Sequence, residues 1–403
     1  MMEFFLHLVD ILFIILQVLI AIYLTIPFFS LIIYAIINLF AIKNPFEKRA
    51  FLNERQYEFG IIITAHQETE FIFPLVDSLL KQTYNNFYVY VIADDCDTSG
   101  LIFNDKRIHI LQSIPALHAK VKSIHYGIEN FKRKHDIIVI FDADNLVHPL
   151  FLEIMNKYFQ KGYKVVQSEF KPKNTDSNYA RMDAIGDMFN FFIEREVRMC
   201  INLSATIWGS GVAFDYDLYK GIEYRDLLGG FDKKLQAHLV QHVDKIAFAA
   251  DAILFDEKIA SGKSLENQRI RWIHSYFKYF KESFQIFYGG IMNLNFNIAY
   301  FGFVLLRPPL FIVITCSMFF MLIDYFVHVQ YFYIWLCILF SFLSSFVCIV
   351  LLKGKDFRFI KTLFFIPFFV FRQMAALLKI KKAKRSFIKT PHTKLVYIDD
   401  LVD

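Results

Sequence analysis

The chain contains no G-x-G-x-x-G and no G-x-x-x-x-G-K-[ST]. It therefore lacks the glycine loops that cradle dinucleotides and the phosphates of P-loop proteins. Cysteine is scarce: five in 403 residues, at Cys96, Cys200, Cys316, Cys337 and Cys348. No pair has ligand spacing and the last three lie in apolar runs, which predicts no disulfide framework and no zinc site. Internal repeats and low-complexity tracts are absent. No basic residue precedes the first long apolar stretch, and that stretch is too long for the core of a signal peptide. The net charge of +5 sits mostly beside apolar segments, so nothing marks a nucleic-acid partner.

What is present is apolar surface. Hydrophobic residues make up 56 % of the chain and phenylalanine alone contributes 48, more than an ordinary soluble enzyme carries. The excess lies at the two ends. Residues 11–42 carry no charge, and a membrane span needs roughly 20 such residues, so this is read as a retained anchor within residues 1–50, tilted or bent near Pro27. Lys43, Lys48 and Arg49 follow it, which places the next domain in the cytoplasm. Residues 308–323 and 331–352 give two further spans. Residues 357–380 are interrupted by Arg358, Lys361, Pro367 and Arg372 and read as an interfacial or re-entrant segment that closes a membrane region at 308–380. The basic tail, KIKKAKRSFIKTPHTK (379–394), returns to the cytoplasm and is suited to anionic lipid.

Residues 51–275 are globular in composition, and 276–307 form an interfacial region. FGIIITA (59–65), FYVYVIAD (87–94), RIHILQ (107–112), DIIVIFD (136–142) and YKVVQSEF (163–170) read as strands. TEFIFPLVDSLLKQ (69–82), KVKSIHYGIENFKRK (120–134) and HPLFLEIMNKYFQ (148–160) read as helices. Continuous β-branched runs alternating with amphipathic helices imply an α/β fold with a doubly wound, mainly parallel sheet covered on both faces.

Acidic residues collect at strand ends. Asp142 and Asp144 close IIVIFDADNLV, and ADDCDTSG (93–100) follows another strand. Strand carboxyl ends are where such sheets bind ligands. Two adjacent carboxylates repel, and a hard divalent cation would offset that; a plain turn is the other reading, since Asp and Asn are turn residues. Further on, ENQRIRW (266–272) places Gln268, Arg271 and Trp272 at i, i+3 and i+4, on one helical face. A guanidinium fork suits a pyrophosphate and an indole suits a sugar ring. The rival reading is a basic amphipathic helix lying on a membrane.

FDADN (141–145) and QRIRW (268–272), in this order and followed by apolar spans, resemble the membrane-bound processive members of glycosyltransferase family 2. These are the synthases of cellulose, chitin, hyaluronan and poly-N-acetylglucosamine, and the resemblance covers roughly residues 57–275. It implies a GT-A-like fold with transmembrane helices before and after the catalytic domain. It implies that Ala65 and Glu68, in ITAHQETE, lie near base and ribose, with Asp95 on the uracil and Lys120 near the nucleotide. Asp142 and Asp144 would hold Mg²⁺ or Mn²⁺ against the diphosphate. Trp208, Gly209, Ser210 and Gly211 would line the acceptor site, and Gln268, Arg269, Arg271 and Trp272 would face diphosphate and acceptor. Asp232, in FDKKL (231–235), would be the catalytic base. FIKTPHTK (387–394) resembles a Thr-containing stretch that follows the spans in related bacterial enzymes. Gln67, His125 and Phe231 stand where the family has Asn, Asn and Glu.

The resemblance implies an inverting hexosyltransferase that uses a UDP-sugar and extends a polysaccharide through a β-linkage at the inner or plasma membrane. Its partners would be the donor, a polysaccharide or lipid-linked acceptor, membrane lipids, and export or regulatory subunits. Transfer of a single sugar to a lipid-linked or oligosaccharide acceptor is the alternative; a non-catalytic, membrane-tethered sugar-nucleotide-binding subunit is the second. His118 and His125 read as non-ligands, Asp97 as a turn residue, and Asp251, Asp256 and Glu257 as supports of the site.

Overall fold

The structure is a computed structural model that describes residues 2–219, 222, 230–378 and 393–402. Most of the basic tail, and all of FIKTPHTK except Thr393 and Lys394, lie outside the described residues.

Among the described residues, eight strands form one sheet: β1 (Phe59–His66), β2 (Phe87–Asp94), β3 (Ile108–Gln112), β4 (Ile137–Asp142), β5 (Leu146–Val147), β6 (Val165–Pro172), β7 (Val212–Asp215) and β8 (Ala247–Asp256). Their order is β3-β2-β1-β4-β7-β6-β8-β5. β3, β2, β1 and β4 are parallel neighbours, as are β6 and β8. β7 runs antiparallel between β4 and β6, and β5 antiparallel to β8. The apolar runs do what their composition dictates. Ile61, Ile62, Ile63, Val139, Ile140 and Phe141 are completely buried, and each such side chain stabilises the fold by roughly 1.5–3 kcal/mol.

Three strands escape the sequence pattern: β5, which is two residues long, β7 and β8. β7 is four residues long, directly after the Trp208–Gly211 segment. β8 contains a bulge: Ser168 pairs with Ala249, but Glu169 pairs with Ile253. The intervening Ala250 and Asp251 are exposed, so the alternation that marks a strand breaks there. The helices are shorter than the periodicity suggests, at Ile72–Leu80, Lys120–Glu129 and Phe151–Gln160.

Among the described residues, three helices are long and apolar enough to cross a membrane: His7–Leu39, Leu310–Val327 and Val329–Lys353. The first belongs to the helix Met2–Leu39, which continues through Pro27. Residues 357–378 fold as short pieces, Phe357–Thr362, a single 3₁₀ turn and Ile366–Leu378, and not as one long helix. The last piece packs Val370 and Leu377 against Ile270 and Ile273. Residues 280–306 form a helical hairpin, Phe280–Met292 and Phe296–Leu306. A Cβ on Gly290 would lie 2.2 Å from Ala299 N, so glycine allows the two backbones to touch.

The helix Asn178–Cys200, with a π-helical turn at Phe192–Glu196, joins the sheet to the apolar helices. Its Ile185, Phe189 and Phe192 pack with Leu24, Phe346 and Ile349. Among the apolar helices, Asp324 is buried and shares hydrogen bonds with Gln17 and Trp335, one from each of the other two long helices.

Candidate active site

Strand register sets the site. At the carboxyl edge of the sheet His66 lies opposite Asp94 and Thr64 opposite Asp142, so the ends of β2, β1 and β4 form one rim. FDADN is a turn as well as an acidic motif. Asn145 N donates to Asp142 O at 3.0 Å, and Asn145 Oδ1 accepts from Asp142 N at 2.9 Å and from Ser210 Oγ.

The Asp142 carboxylate is paired with Lys120 Nζ. Lys120 also donates to Gly209 O at 2.9 Å and lies 4.8 Å from the Phe231 ring centroid. Gly209 in turn meets the helix Phe231–His242: a Cβ there would stand 3.0 Å from the Phe231 ring and 3.8 Å from Asp232 Cβ. Asp232 occupies the first turn of that helix, where the helix dipole favours a negative side chain. Arg271 arrives from the helix Gly262–Lys278. Burial pushes its pKa down while the Asp142 charge pulls it up, so it stands within electrostatic reach of that carboxylate. Asp142, Lys120, Gly209, Asp232 and Arg271 thus converge from distant stretches of the chain.

Asp144 is buried, and its backbone oxygen accepts from Lys173 Nζ. Burial holds the Lys173 pKa below the usual lysine range, against the pull of Asp144, Asp256 and Glu257. Asn145 Nδ2 donates to Asp256 at 3.4 Å, which ties the motif to β8. Sequence reasoning missed Lys173 and Asn145, although Asn145 stands inside FDADN.

The Trp208–Gly211 segment leads into β7. Trp208 N donates to Gln167 at 2.9 Å, and the Trp208 ring packs edge-on to Phe191 at 4.6 Å. The Arg195 guanidinium lies 4.5 Å from the Trp208 centroid. Gly211 has φ 61°, and a Cβ there would fall 2.2 Å from Ser168 Oγ, so only glycine fits.

QRIRW is divided. Arg269 turns away from the rim: it bridges Asp183 at 2.9 Å and stacks 4.2 Å from the Trp272 centroid. Trp272 is 46 % exposed. Gln268 Oε1 is buried without a hydrogen-bond partner among the described residues. Beneath lies a buried network in which Lys258 joins Asp187 and, at 2.9 Å, Asp256. Glu257 accepts from Thr393 N at 2.9 Å and Ile398 packs against Leu146 and Phe255, so the C-terminal residues rest on the β5–β8 edge.

At the far end of the rim Ala65 is buried at the end of β1, and Glu68 lies in the loop beyond. Asp95 is exposed with φ 54° and accepts from Gln67 Nε2 at 2.7 Å. A cavity of about 360 Å³ opens beside it, lined by Cys96, Gln112 and Ile114 among others. Asp97 accepts from Ser99 N at 3.0 Å, as a turn residue does. His118 precedes the helix that begins at Lys120, with φ 50°. His125 packs on Tyr219, and burial lowers its pKa.

A family model described as "Glycosyltransferase like family 2" matches residues 56–275. No curated protein matches the chain. Among solved structures, the mannosyltransferase PcManGT of Pyrobaculum calidifontis, in complex with GDP-Man and Mn²⁺, aligns with TM-score 0.56 at 14 % identity. That alignment covers 90 % of this chain and 97 % of that one. Staphylococcus aureus TarS 1-349 aligns with TM-score 0.39 at 15 % identity, covering 56 % of this chain and 65 % of its own length, under two thirds. The same protein in complex with UDP-GlcNAc aligns with TM-score 0.37 at 15 % identity, covering 51 % and 59 %. At 14 % identity the likeness to the mannosyltransferase is one of fold.

Proposed function

From the premise that this chain belongs to glycosyltransferase-like family 2, we propose that it moves a sugar from a UDP-sugar to an acceptor hydroxyl at a membrane, with inversion. The convergence of Asp142, Lys120, Asp232 and Arg271 on one strand end carries this reading. The donor would lie along the rim, its base and ribose toward Ala65, Glu68 and Asp95 and its diphosphate at Asp142 and Asp144. The all-carboxylate donor set fits Mg²⁺ or Mn²⁺. A neighbour of this fold is in complex with Mn²⁺, and such an ion would neutralise charge on the diphosphate. Lys120 and Arg271 add positive charge where the leaving group develops its own. Asp232 takes the proton of the acceptor hydroxyl as that oxygen attacks the anomeric carbon. A single displacement turns an α-linked donor into a β-linked product. Trp208–Gly211 and Trp272 offer the acceptor its walls.

Residues 51–275 are the proposed catalytic unit, on the cytoplasmic side by the Lys43, Lys48 and Arg49 signal. The acceptor is a growing β-linked polysaccharide. A lipid-linked acceptor receiving one sugar is the second reading, favoured by the finding of three long apolar helices among the described residues. Incubating the membrane-embedded protein with UDP- and GDP-sugars and Mg²⁺ or Mn²⁺, then sizing the product, tests both. A long product with UDP release supports synthesis of a polymer, and a single added sugar supports the second reading. Nucleotide binding without turnover across donors and acceptors would overturn both.

A further inference from the structure

The rim carries a second constellation with different chemistry. His66, Asp95 and His118 each offer a ligand atom, and these atoms lie within 4.8 Å of one another. They come from the end of β1, the turn after β2 and the loop before the helix Lys120–Glu129. The buried carboxylate of Asp94 stands behind them. It holds His66 Nδ1 at 3.1 Å and accepts from the backbone N–H of His118 at 2.8 Å and of Leu117 at 2.6 Å. A carboxylate that fixes a histidine ring through Nδ1 is a recurring support of histidine metal ligands, because it sets ring orientation and raises basicity. Asp95 is oriented as well, through its 2.7 Å bond from Gln67.

We propose that His66, Asp95 and His118 bind a borderline divalent cation such as Zn²⁺, and that this ion and the sugar nucleotide exclude one another. Two imidazoles and a carboxylate suit zinc, whereas the carboxylate-only pair Asp142 and Asp144 suits Mg²⁺ or Mn²⁺. The two cation sites therefore differ in selectivity. Asp95 and His118 are exposed, so side-chain rotation can bring the donor atoms to zinc distances of about 2.0–2.2 Å, leaving a fourth position for water. The exclusion rests on the reading of Asp95 as a nucleobase contact; the metal binding does not. An ion on Asp95, which lines the adjoining cavity, removes the acceptor the base would use, so the site inhibits transfer.

The test uses the full chain in detergent, stripped of metal and supplied with excess Mg²⁺ to fill the carboxylate pair, with Co²⁺ as a visible probe. One equivalent of Co²⁺ is expected to give a d–d absorbance band. His66→Ala and His118→Ala are each expected to weaken Co²⁺ binding by about tenfold or more, and UDP is expected to abolish the band. His118 lies on an exposed loop, so its variant keeps the test valid if the β1 variant fails to fold. Unchanged Co²⁺ affinity in a folded His118→Ala protein overturns the site. A histidine-dependent band that UDP leaves intact overturns the exclusion. Failure of the transferase reading appears separately, as absent turnover in metal-stripped protein given Mg²⁺ or Mn²⁺ and donor.

Discussion

Two charged regions meet at the helix Gly262–Lys278 and use the same residue types to opposite ends. On the rim, Lys120, Asp142 and Arg271 are part-exposed and gathered where a ligand would enter. Behind it, Asp183, Asp187, Lys258 and Arg269 are paired with one another, and the Lys258 side chain is 1 % exposed. Arg269 and Arg271 stand two positions apart, yet one bolts the helix to Asn178–Cys200 and the other lies within electrostatic reach of Asp142. A charge whose partners are all protein groups contributes to holding the structure together. A charge left at a rim can be given to a substrate.

Substitutions should separate the two regions. Asp142→Asn should cost the most turnover, about 10³-fold or more, with a raised metal requirement; a metal titration of rate checks it. Lys258→Met should leave Asp187 and Asp256 uncompensated and destabilise the fold by roughly 3–5 kcal/mol. Thermal unfolding reads that loss, and adding Asp187→Leu should recover most of it. Arg271→Ala should lower turnover by about 10²–10³-fold with little change in melting, and Arg269→Ala should do the reverse. Equal effects of the two arginines on both quantities would erase the distinction.

The smallest effect concerns pH. Burial pushes the Glu169 carboxyl up to about 7 from 4.5; Glu196 pushes the same way, and Lys353 and Arg195 oppose. Between these values the folded protein holds a proton that the unfolded chain has released. Stability therefore falls as pH rises from 4.5 to about 7 and is level above. Glu169→Gln should flatten that slope and stabilise the protein at alkaline pH by about 2 kcal/mol, allowing for partial exposure. A pH series of melting temperatures decides it.

Much of the fold can be read from sequence because β1, β2 and β4 are nearly continuous runs of β-branched and aromatic residues, whose burial on both faces leaves few alternatives. β8 hides behind its bulge at Asp251, and β7 is too short to show a period. At the site, residue type and spacing point to Asp142 and Arg271, the family resemblance adds Lys120 and Asp232, and the structure brings Lys120 onto Asp142 and Gly209 beside Asp232. Arg269 could not be sorted in the same way. A helix turns about 100° per residue, which takes Arg269 off the face of Gln268, but its partner Asp183 lies 86 positions away. His66 is equally silent in sequence. Its value depends on the β1–β2 register that sets it beside Asp94.

In the proposed mechanism Asp232 removes the acceptor proton at a rim where Asp142, Lys120 and Arg271 manage the diphosphate. The direct test is Asp232→Asn, measured for both sugar-nucleotide affinity and turnover in folded, membrane-embedded protein. Affinity within about twofold of the parent, with turnover down by about 10²–10⁴-fold, is the predicted result. Folded Asp232→Asn protein that transfers sugar at the parent rate would contradict it.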